Sequence, residues 1–424
     1  MNWHSHALLG KIAAAALPDW VKELLDFPAE GPDLAWLPEC RNALDQMAAS
    51  CLMMDWVYQK RYHAYCVQEN GMPLTHMLPD SEGRGAFFSG NTPHPGKFAE
   101  ILTFLMNRTL KAWQTGSRLE FLRFAGILGH FLQDVTAPTH TISAKMLREL
   151  FPEPAAGQFT PFGKYVYRIG EDIVIPAAEG DRCSIDREVF FLTQQAFAAA
   201  DRARRIIPRL MEAVYRQDES GCADLLRGPA ADAAALTRDA WYTIFCMAGN
   251  RSASVPEFFP LTRIAPLYHH PDPYAYIGQD RFYLNSDIVP MKILGGGIGR
   301  GFGMKGYSGM KFFLNHVFDR LDFTLGMADD PGSFDEHVKV CFTVESSPGW
   351  NSCFSEDMDY GGEILYRQMI GPGEEPRKIS VPLRDAGTLI LAAKAVPYVD
   401  DAGKDTFAVP HLAILDPILH FIKV

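Results

Sequence analysis

Several features are missing from this chain, and each absence narrows what it can be. Its eight cysteines, Cys40, Cys51, Cys66, Cys183, Cys222, Cys246, Cys341 and Cys353, are scattered and form no C-x-x-C pair. They read as mostly buried thiols, with one or two disulfides as the alternative in a secreted form. No apolar run reaches the roughly 18 residues needed to cross a bilayer, so no transmembrane segment is expected. The first residues lack a signal peptide's shape, because His4 and His6 come early and Lys11 interrupts the apolar stretch. Basic residues are in the minority, 40 Lys and Arg against 51 Asp and Glu, for a net charge of -11. That argues against a duplex nucleic-acid partner, which needs clustered cations to displace counterions. A small phosphodiester in a metal-lined cleft remains compatible with it.

What is present is globular: 47% hydrophobic and 21% charged residues over 424 positions, enough for two or three domains. The first 250 residues or so have helical texture. Apolar residues recur at helical spacing over Ile101–Trp113 and Arg118–Gln133, and again over Phe191–Tyr215, where Pro208 should divide the helix. A further helix is expected over Ala230–Ala248. Prolines at 256, 260, 266, 271 and 273 then predict a linker or extended strap. His269 and His270 within it read as solvated surface residues. Short segments follow, among them Lys311–Leu314, Arg320–Leu325, Val338–Val344 and Thr388–Leu391; several alternate apolar and polar residues, and they predict strands. The expected fold is therefore multidomain: an all-α helical bundle over 1–252, a Pro-rich linker over 253–278 and a β-sandwich over 279–424. The glycine-rich run 295–303 lacks a following G-K-[ST], so it reads as turns between strands, not as a phosphate loop.

The most informative stretch is Gly126–His140. His130 and Asp134 are four residues apart, hence on one helical face, and Pro138 should stop that helix so that His140 can return to the same place. Their surroundings are apolar, and an Asp facing a core needs a partner. A metal ion is one such partner, and imidazole with carboxylate suits zinc. A surface pair or a buried hydrogen bond is the plain alternative.

The pattern H-x-x-x-D-x-x-x-P-x-H after an apolar helix resembles the zinc-dependent phospholipases C and the related zinc-dependent single-strand nucleases. The resemblance implies an all-α bundle with up to three zinc ions in a cleft, and it implies further ligands. His6, before the apolar run Ala7–Ala13, matches the family's N-terminal ligand better than His4 does. The family also uses the amine of a mature N-terminal Trp; if Met1 is the native start, Trp3 cannot supply it, and that ligand is expected to be absent or replaced by His4. Asp55, after Cys51–Met54, matches a bridging or catalytic Asp, with a solvent-facing Asp as the alternative. His76 fits the next ligand in order, ahead of His63 and His94. The chain departs from the family at Gly163 and Phe159, where a Glu and a His are expected. Glu171 and Asp172 lie out of register to replace them. One or two zinc ions are thus implied more strongly than three, and a decayed site stays open.

Residues 294–304 and 318–330, with a closing Leu415–Leu419, resemble carbohydrate-binding modules of the galactose-binding-like jelly-roll class. The resemblance implies a possible glycan partner, with a purely structural sandwich as the alternative. Together these resemblances imply a metal-dependent phosphodiester hydrolase. Zinc on His76, His130 and Asp134 would lower the pKa of a bound water. Asp55 would be the catalytic base or a further ligand, and His6 with Asp134 would hold a second ion. The substrate would be a phospholipid head group, another phosphodiester or a short single strand, and the negative net charge leans against the last. The rival is a glycan-binding protein whose helical domain has lost turnover. The family also implies a secreted or periplasmic setting.

Overall fold

The computed structural model describes residues 6–35, 37, 40–56, 88–89, 92–93, 95–142, 149–151, 172–180, 182–249, 251, 256–266, 268–269, 278–284, 287–291, 293, 299–306, 308–328, 338–347, 362–399, 403–406 and 411–423. The chain forms two compact units, Met1–Ser254 and Val255–Val424. Among its described residues the first is helical apart from a two-stranded ribbon, β1 (Phe88–Ser89) with β2 (Thr92–Pro93). The second is a β-sandwich of jelly-roll type.

The described helices of the first unit are α1 (His6–Ala15), α2 (Asp19–Leu24), α3 (Ala43–Ala49), α4 (Pro95–Gln114), α5 (Arg118–Asp134), α6 (Ile185–Arg205), α7 (Ile207–Tyr215) and α8 (Glu219–Ala248). Side-chain caps start three of them. Asn42 accepts from the Asp45 amide at 2.8 Å, Ser184 from the Arg187 amide, and Asp218 from the Gly221 amide at 2.8 Å. Each satisfies a backbone donor that a helix start leaves open. Helix α6 breaks at Ile206, two residues before Pro208, as the ring's clash with the preceding turn requires. Pro229 behaves differently. The sequence reading started the last helix after it, yet α8 runs through it from Glu219. A 30-residue helix that buries one face along its length can absorb the loss of one backbone hydrogen bond.

Helix α5 is central. Every residue from Phe121 to Asp134 is buried except Arg123. That is the signature of a helix surrounded by others. Trp241 of α8 donates its indole N–H to the Ala125 carbonyl at 2.8 Å, and Phe121, Trp113 and Phe245 pack edge to face on one another. Arg123 is the exception because its guanidinium turns to the buried Asp33, with Nη2 2.9 Å from Oδ1 and Nε on Oδ2. This two-point contact pins the turn Pro32–Ala35 to α5.

The second unit contains β3 (Phe258–Pro260), β4 (Tyr268–His269), β5 (Gly278–Gln279), β6 (Arg281–Leu284), β7 (Asp287–Pro290), β8 (Gly301–Lys305), β9 (Ser308–Phe313) and β10 (Phe318–Met327). It continues with β11 (Lys339–Ser347), β12 (Glu363–Ile370), β13 (Arg377–Pro382), β14 (Thr388–Val396), β15 (Tyr398–Val399), β16 (Asp405–Thr406) and β17 (His411–Phe421). One sheet has the order β13-β10-β17-β8-β5, with β3 also on β17; the other has the order β12-β11-β14-β9-β4. Their inner faces meet through Phe302 against Phe312 and Phe323 against Phe342, with ring centroids 5.6 and 5.7 Å apart. Such interdigitation of two inner faces is what fills a sandwich core.

Two readings of this half change. Gly301–Lys305 is a buried strand, not a turn, and its glycine is there for room: a Cβ at Gly301 would lie 1.8 Å from the Ile414 carbonyl oxygen of β17. The segment read as a linker carries β3, β4 and β5, which pair with β17, β9 and β8. A fragment that begins at residue 279 therefore lacks three strands, whereas one spanning 255–424 keeps every pairing. We expect the 255–424 fragment to fold alone, with a β-type circular dichroism spectrum and a cooperative melt. A non-cooperative melt would show that the unit needs residues 1–254.

Candidate metal centre

The site is built from the ends of α1 and α5 and from the 3₁₀ turn Ser50–Trp56. His6 opens α1, and His130 and Asp134 lie one turn apart at the end of α5. All three are buried. Each offers a ligand atom within 4.8 Å of the other two. His130 Nε2 lies 3.1 Å from Asp134 Oδ2, and His6 Nε2 lies 3.5 Å from Asp134 Oδ1. The two imidazole rings stack with centroids 3.8 Å apart. Helix α5 ends at Asp134, and the 3₁₀ turn Pro138–His140 brings His140 Nε2 to 3.6 Å from Asp134 Oδ1.

The far nitrogen of each ring decides what the near one can do. His130 Nδ1 lies 2.7 Å from the Cys51 carbonyl oxygen. A carbonyl only accepts, so Nδ1 carries the proton and Nε2 points its lone pair at Asp134 whenever the ring is neutral. His6 Nδ1 is 2.7 Å from Gln133 Oε1, which likewise only accepts. Burial, and then the neighbouring His130, hold the His6 pKa well below the usual imidazole value. His6 is therefore neutral at pH 7, and its Nε2, which makes no hydrogen bond, is a lone-pair donor facing a carboxylate oxygen.

Lone pairs converging on a carboxylate repel unless a cation lies between them. A proton could bridge one pair, but one positive ion serves both imidazoles and the carboxylate together. Tetrahedral zinc with bonds of about 2.0–2.1 Å sets its ligand atoms roughly 3.3 Å apart. The 3.1 and 3.5 Å separations, each to a different Asp134 oxygen, are of that order, and one ligand atom from each residue lies within 4.8 Å of the other two. The residues present thus fit a zinc ion, with His6, His130 and Asp134 as donors. The Cys51 thiol is not one of them: burial pushes its pKa up to about 12, so it stays protonated.

The approach of these elements depends on glycine. A Cβ at Gly126 would lie 2.3 Å from the Ser50 carbonyl carbon. One at Gly129 would lie 2.8 Å from Cys51 Sγ, and one at Gly10 would lie 2.8 Å from the Ala48 carbonyl oxygen. Gly126 lets α5 meet the backbone of the Ser50–Trp56 turn, Gly129 leaves room for the Cys51 side chain, and Gly10 lets α1 meet the backbone of α3. The contact at Gly126 delivers the Cys51 carbonyl to His130.

Of the residues singled out from sequence, the structure brings together His6, His130, Asp134 and His140. Asp55 lies in the Ser50–Trp56 turn, which packs on α5; its side chain is outside the described residues. His4, His63, His76, His94, Phe159, Gly163 and Glu171 are also outside them. Asp172 is exposed, 3.7 Å from Arg227. Gln133 and the Cys51 carbonyl were not anticipated. Gln133 had a visible signal, an amide inside an otherwise apolar helix next to the expected ligand. The carbonyl had none, since backbone partners are not written in side-chain types.

No family profile matches the chain, and no curated protein matches it. Among solved structures it is similar to the alpha toxin of Clostridium absonum, at 9% identity over 100% of this chain and 95% of that one, with a TM-score of 0.35. Its second half is similar to CBM51 from Clostridium perfringens GH95 in complex with methyl-galactose, at 16% identity over 38% of this chain and 99% of that one, with a TM-score of 0.26. A further match is to the M60 catalytic domain with two CBM51 domains of Clostridium perfringens ZmpB, at 14% identity, 39% of this chain and a TM-score of 0.28. There the chain spans 15% of the other's length. At these identities and TM-scores the likeness transfers neither activity nor residue roles.

The glycine seam yields a test. Gly126→Ala forces the Ser50 backbone away from α5 and should destabilise the protein by about 1–3 kcal/mol, the usual cost of overpacking. Denaturant unfolding measures it. A loss under about 0.5 kcal/mol, typical of a neutral surface change, would mean that the seam relaxes freely.

Proposed function

We propose that the first unit is a zinc-dependent phosphodiester hydrolase of the phospholipase C type. The observation that carries this reading is the convergence of His6 Nε2, His130 Nε2 and the Asp134 carboxylate, with both outer imidazole nitrogens already engaged. The motif resemblance supports it. His6, His130 and Asp134 hold one ion in this reading. His76 and His140 are further donors, and the two Asp134 oxygens allow the carboxylate to be shared between one or two ions. When bound, zinc supplies an acidified water and positive charge for a phosphoryl oxygen. Asp55 is the residue proposed to orient that water and accept its proton, as further donor or catalytic base. The substrate class is a phospholipid head group or a similar phosphodiester, and the reading carries with it a secreted or periplasmic setting. No helix among the described residues is long and apolar enough to cross a membrane.

Metal content and turnover test this together. Wild-type protein should retain one or two equivalents of zinc after dialysis and hydrolyse a chromogenic phosphocholine diester. His130→Ala and Asp134→Ala should each lose at least one equivalent and reduce turnover at least about a hundredfold, because losing one donor in three or four opens the shell. Zinc without hydrolysis would favour the rival reading, a helical domain that keeps its metal but has lost turnover, as Gly163 and Phe159 suggest. No zinc at all would overturn the metal centre.

For the second unit we propose glycan binding. One feature favours it. On the outer face of the first sheet, Phe258, His420, Arg320 and Pro382 stand in one row across β3, β17, β10 and β13. Asp322 takes His420 Nε2 at 2.7 Å, Arg320 Nε at 3.2 Å and Ser380 Oγ at 2.6 Å. A fixed polar cluster beside an exposed aromatic ring, Phe258 at 55% exposure, offers sugars both hydroxyl partners and a stacking face. Arg320→Ala and Phe258→Ala should each abolish retention on galactose- or N-acetylglucosamine-bearing resin. Equal retention by wild type and both variants would remove this face from consideration.

A further inference from the structure

Two histidines of the centre are held from behind by different groups, yet both holds lead to the same residue. His130 Nδ1 donates to the backbone carbonyl of Cys51. His6 Nδ1 donates to Gln133 Oε1, and the other end of that amide, Nε2, donates to Cys51 Sγ at 3.7 Å. The thiol in turn donates to the Met47 carbonyl oxygen at 3.9 Å, inside α3. Gln133 and Cys51 are buried, so water does not compete for these contacts.

The direction of the Gln133 amide decides the chemistry of His6. With Oε1 towards Nδ1, the ring proton sits on Nδ1 and Nε2 keeps its lone pair. With the amide turned over, its NH₂ would face Nδ1, the proton would move to Nε2, and that nitrogen could not bind a metal. Apolar neighbours are indifferent to the choice. The Cys51 sulfur is not, because its S–H is spent on Met47 and its lone pairs can only accept. It therefore favours the orientation with Nε2 towards itself.

We propose that Gln133 is the positioning residue of the metal centre, fixing the metal-binding tautomer of His6 through an amide whose orientation is set by the Cys51 thiol. The proposal rests on the zinc reading above. It assigns a role to two side chains that are not donors themselves, and it makes Cys51 the common anchor of both imidazoles, by its carbonyl for one and by its sulfur for the other.

The test compares zinc affinity, measured by competition with a chromophoric chelator, with the unfolding midpoint of the metal-free protein. Gln133→Met keeps the length and shape of the side chain but removes both polar ends. Its zinc affinity should fall about 10–100-fold, the usual cost of losing an outer-shell partner of a ligating histidine. Gln133→Glu restores an acceptor for His6 Nδ1 and should recover affinity to within about threefold of wild type. The cobalt-substituted proteins should show the same order, with an altered visible spectrum only in Gln133→Met. A wild type that binds zinc while Gln133→Met binds it equally well would overturn the proposal alone. So would equal weakening in Gln133→Met and Gln133→Glu, since that follows any disturbance of packing. A wild type that takes up no zinc would overturn the metal reading, and this inference with it. Should Gln133→Met not fold, Cys51→Ala removes the sulfur and leaves the backbone carbonyl to His130. It should weaken zinc binding by at least roughly threefold, and an unchanged affinity would sink the proposal.

Discussion

A carboxylate buried to 1% exposure, Asp134, sits among three imidazoles at the end of the central helix, and the helical unit is arranged around that fact. An ionised carboxylate in a protein interior costs several kcal/mol unless opposite charge and hydrogen bonds offset it. Imidazoles can do so as cations or as co-ligands of one. Burial disfavours the cationic form, as the lowered pKa of His6 shows. A shared metal ion leaves the imidazoles neutral and the carboxylate compensated. Desolvation alone would remove this group of residues from a core; with an ion bound, the same burial strengthens it.

Positions far less conspicuous than the histidines make this geometry attainable. Gly126 on α5 and Gly10 on α1 remove side chains where backbones meet, and Gly129, three residues after Gly126, leaves room for the Cys51 sulfur. The energetic consequence is close packing between α5 and the Ser50–Trp56 turn. The chemical consequence is that a main-chain carbonyl of that turn reaches His130. The Asp33–Arg123 contact on the opposite flank of α5 is a plain structural ion pair by comparison. Its two hydrogen bonds compensate a buried carboxylate completely and leave it no chemistry to do.

Periodicity made the helical unit legible, and spacing made half of its centre legible. His130, Asp134 and the Pro138 stop are local features, and a helix of 3.6 residues per turn turns spacing four into proximity. His6 lies more than a hundred residues away, and residue spacing says nothing about such a partner; only resemblance to a motif pointed to it. Gln133 carries only a weak signal in the sequence, because an amide in an apolar helix has several ordinary explanations. In the second unit, β10 and β11 were readable from alternation and β9 and β14 from short apolar runs, whereas β17 was not. Buried nearly throughout, it reads as a continuous apolar run, and Pro417 beside the left-handed Asp416 looks like a break. The structure uses that pair as an irregularity in the pairing with β10. Gly301 misled for a related reason, since close backbone approach and turns call for the same residue.

The net charge of -11 and the proposed phosphodiester substrate look mismatched, and their reconciliation is a matter of range. At physiological ionic strength the field of surface charges decays over about 8 Å, so Asp and Glu farther than that from a bound ligand impose little penalty on it. Within that site the local sum decides. Two or three neutral imidazoles and one carboxylate leave a divalent ion with a net charge near +1, in surroundings where water screens it poorly. An anionic phosphoryl group is then attracted by the centre and by little else. Duplex nucleic acid, which would have to lie along the acidic surface over many phosphates, gains nothing comparable. On the proposed reading, the net negative charge would discriminate by substrate size, tolerating one phosphate at a metal ion and opposing many phosphates at once.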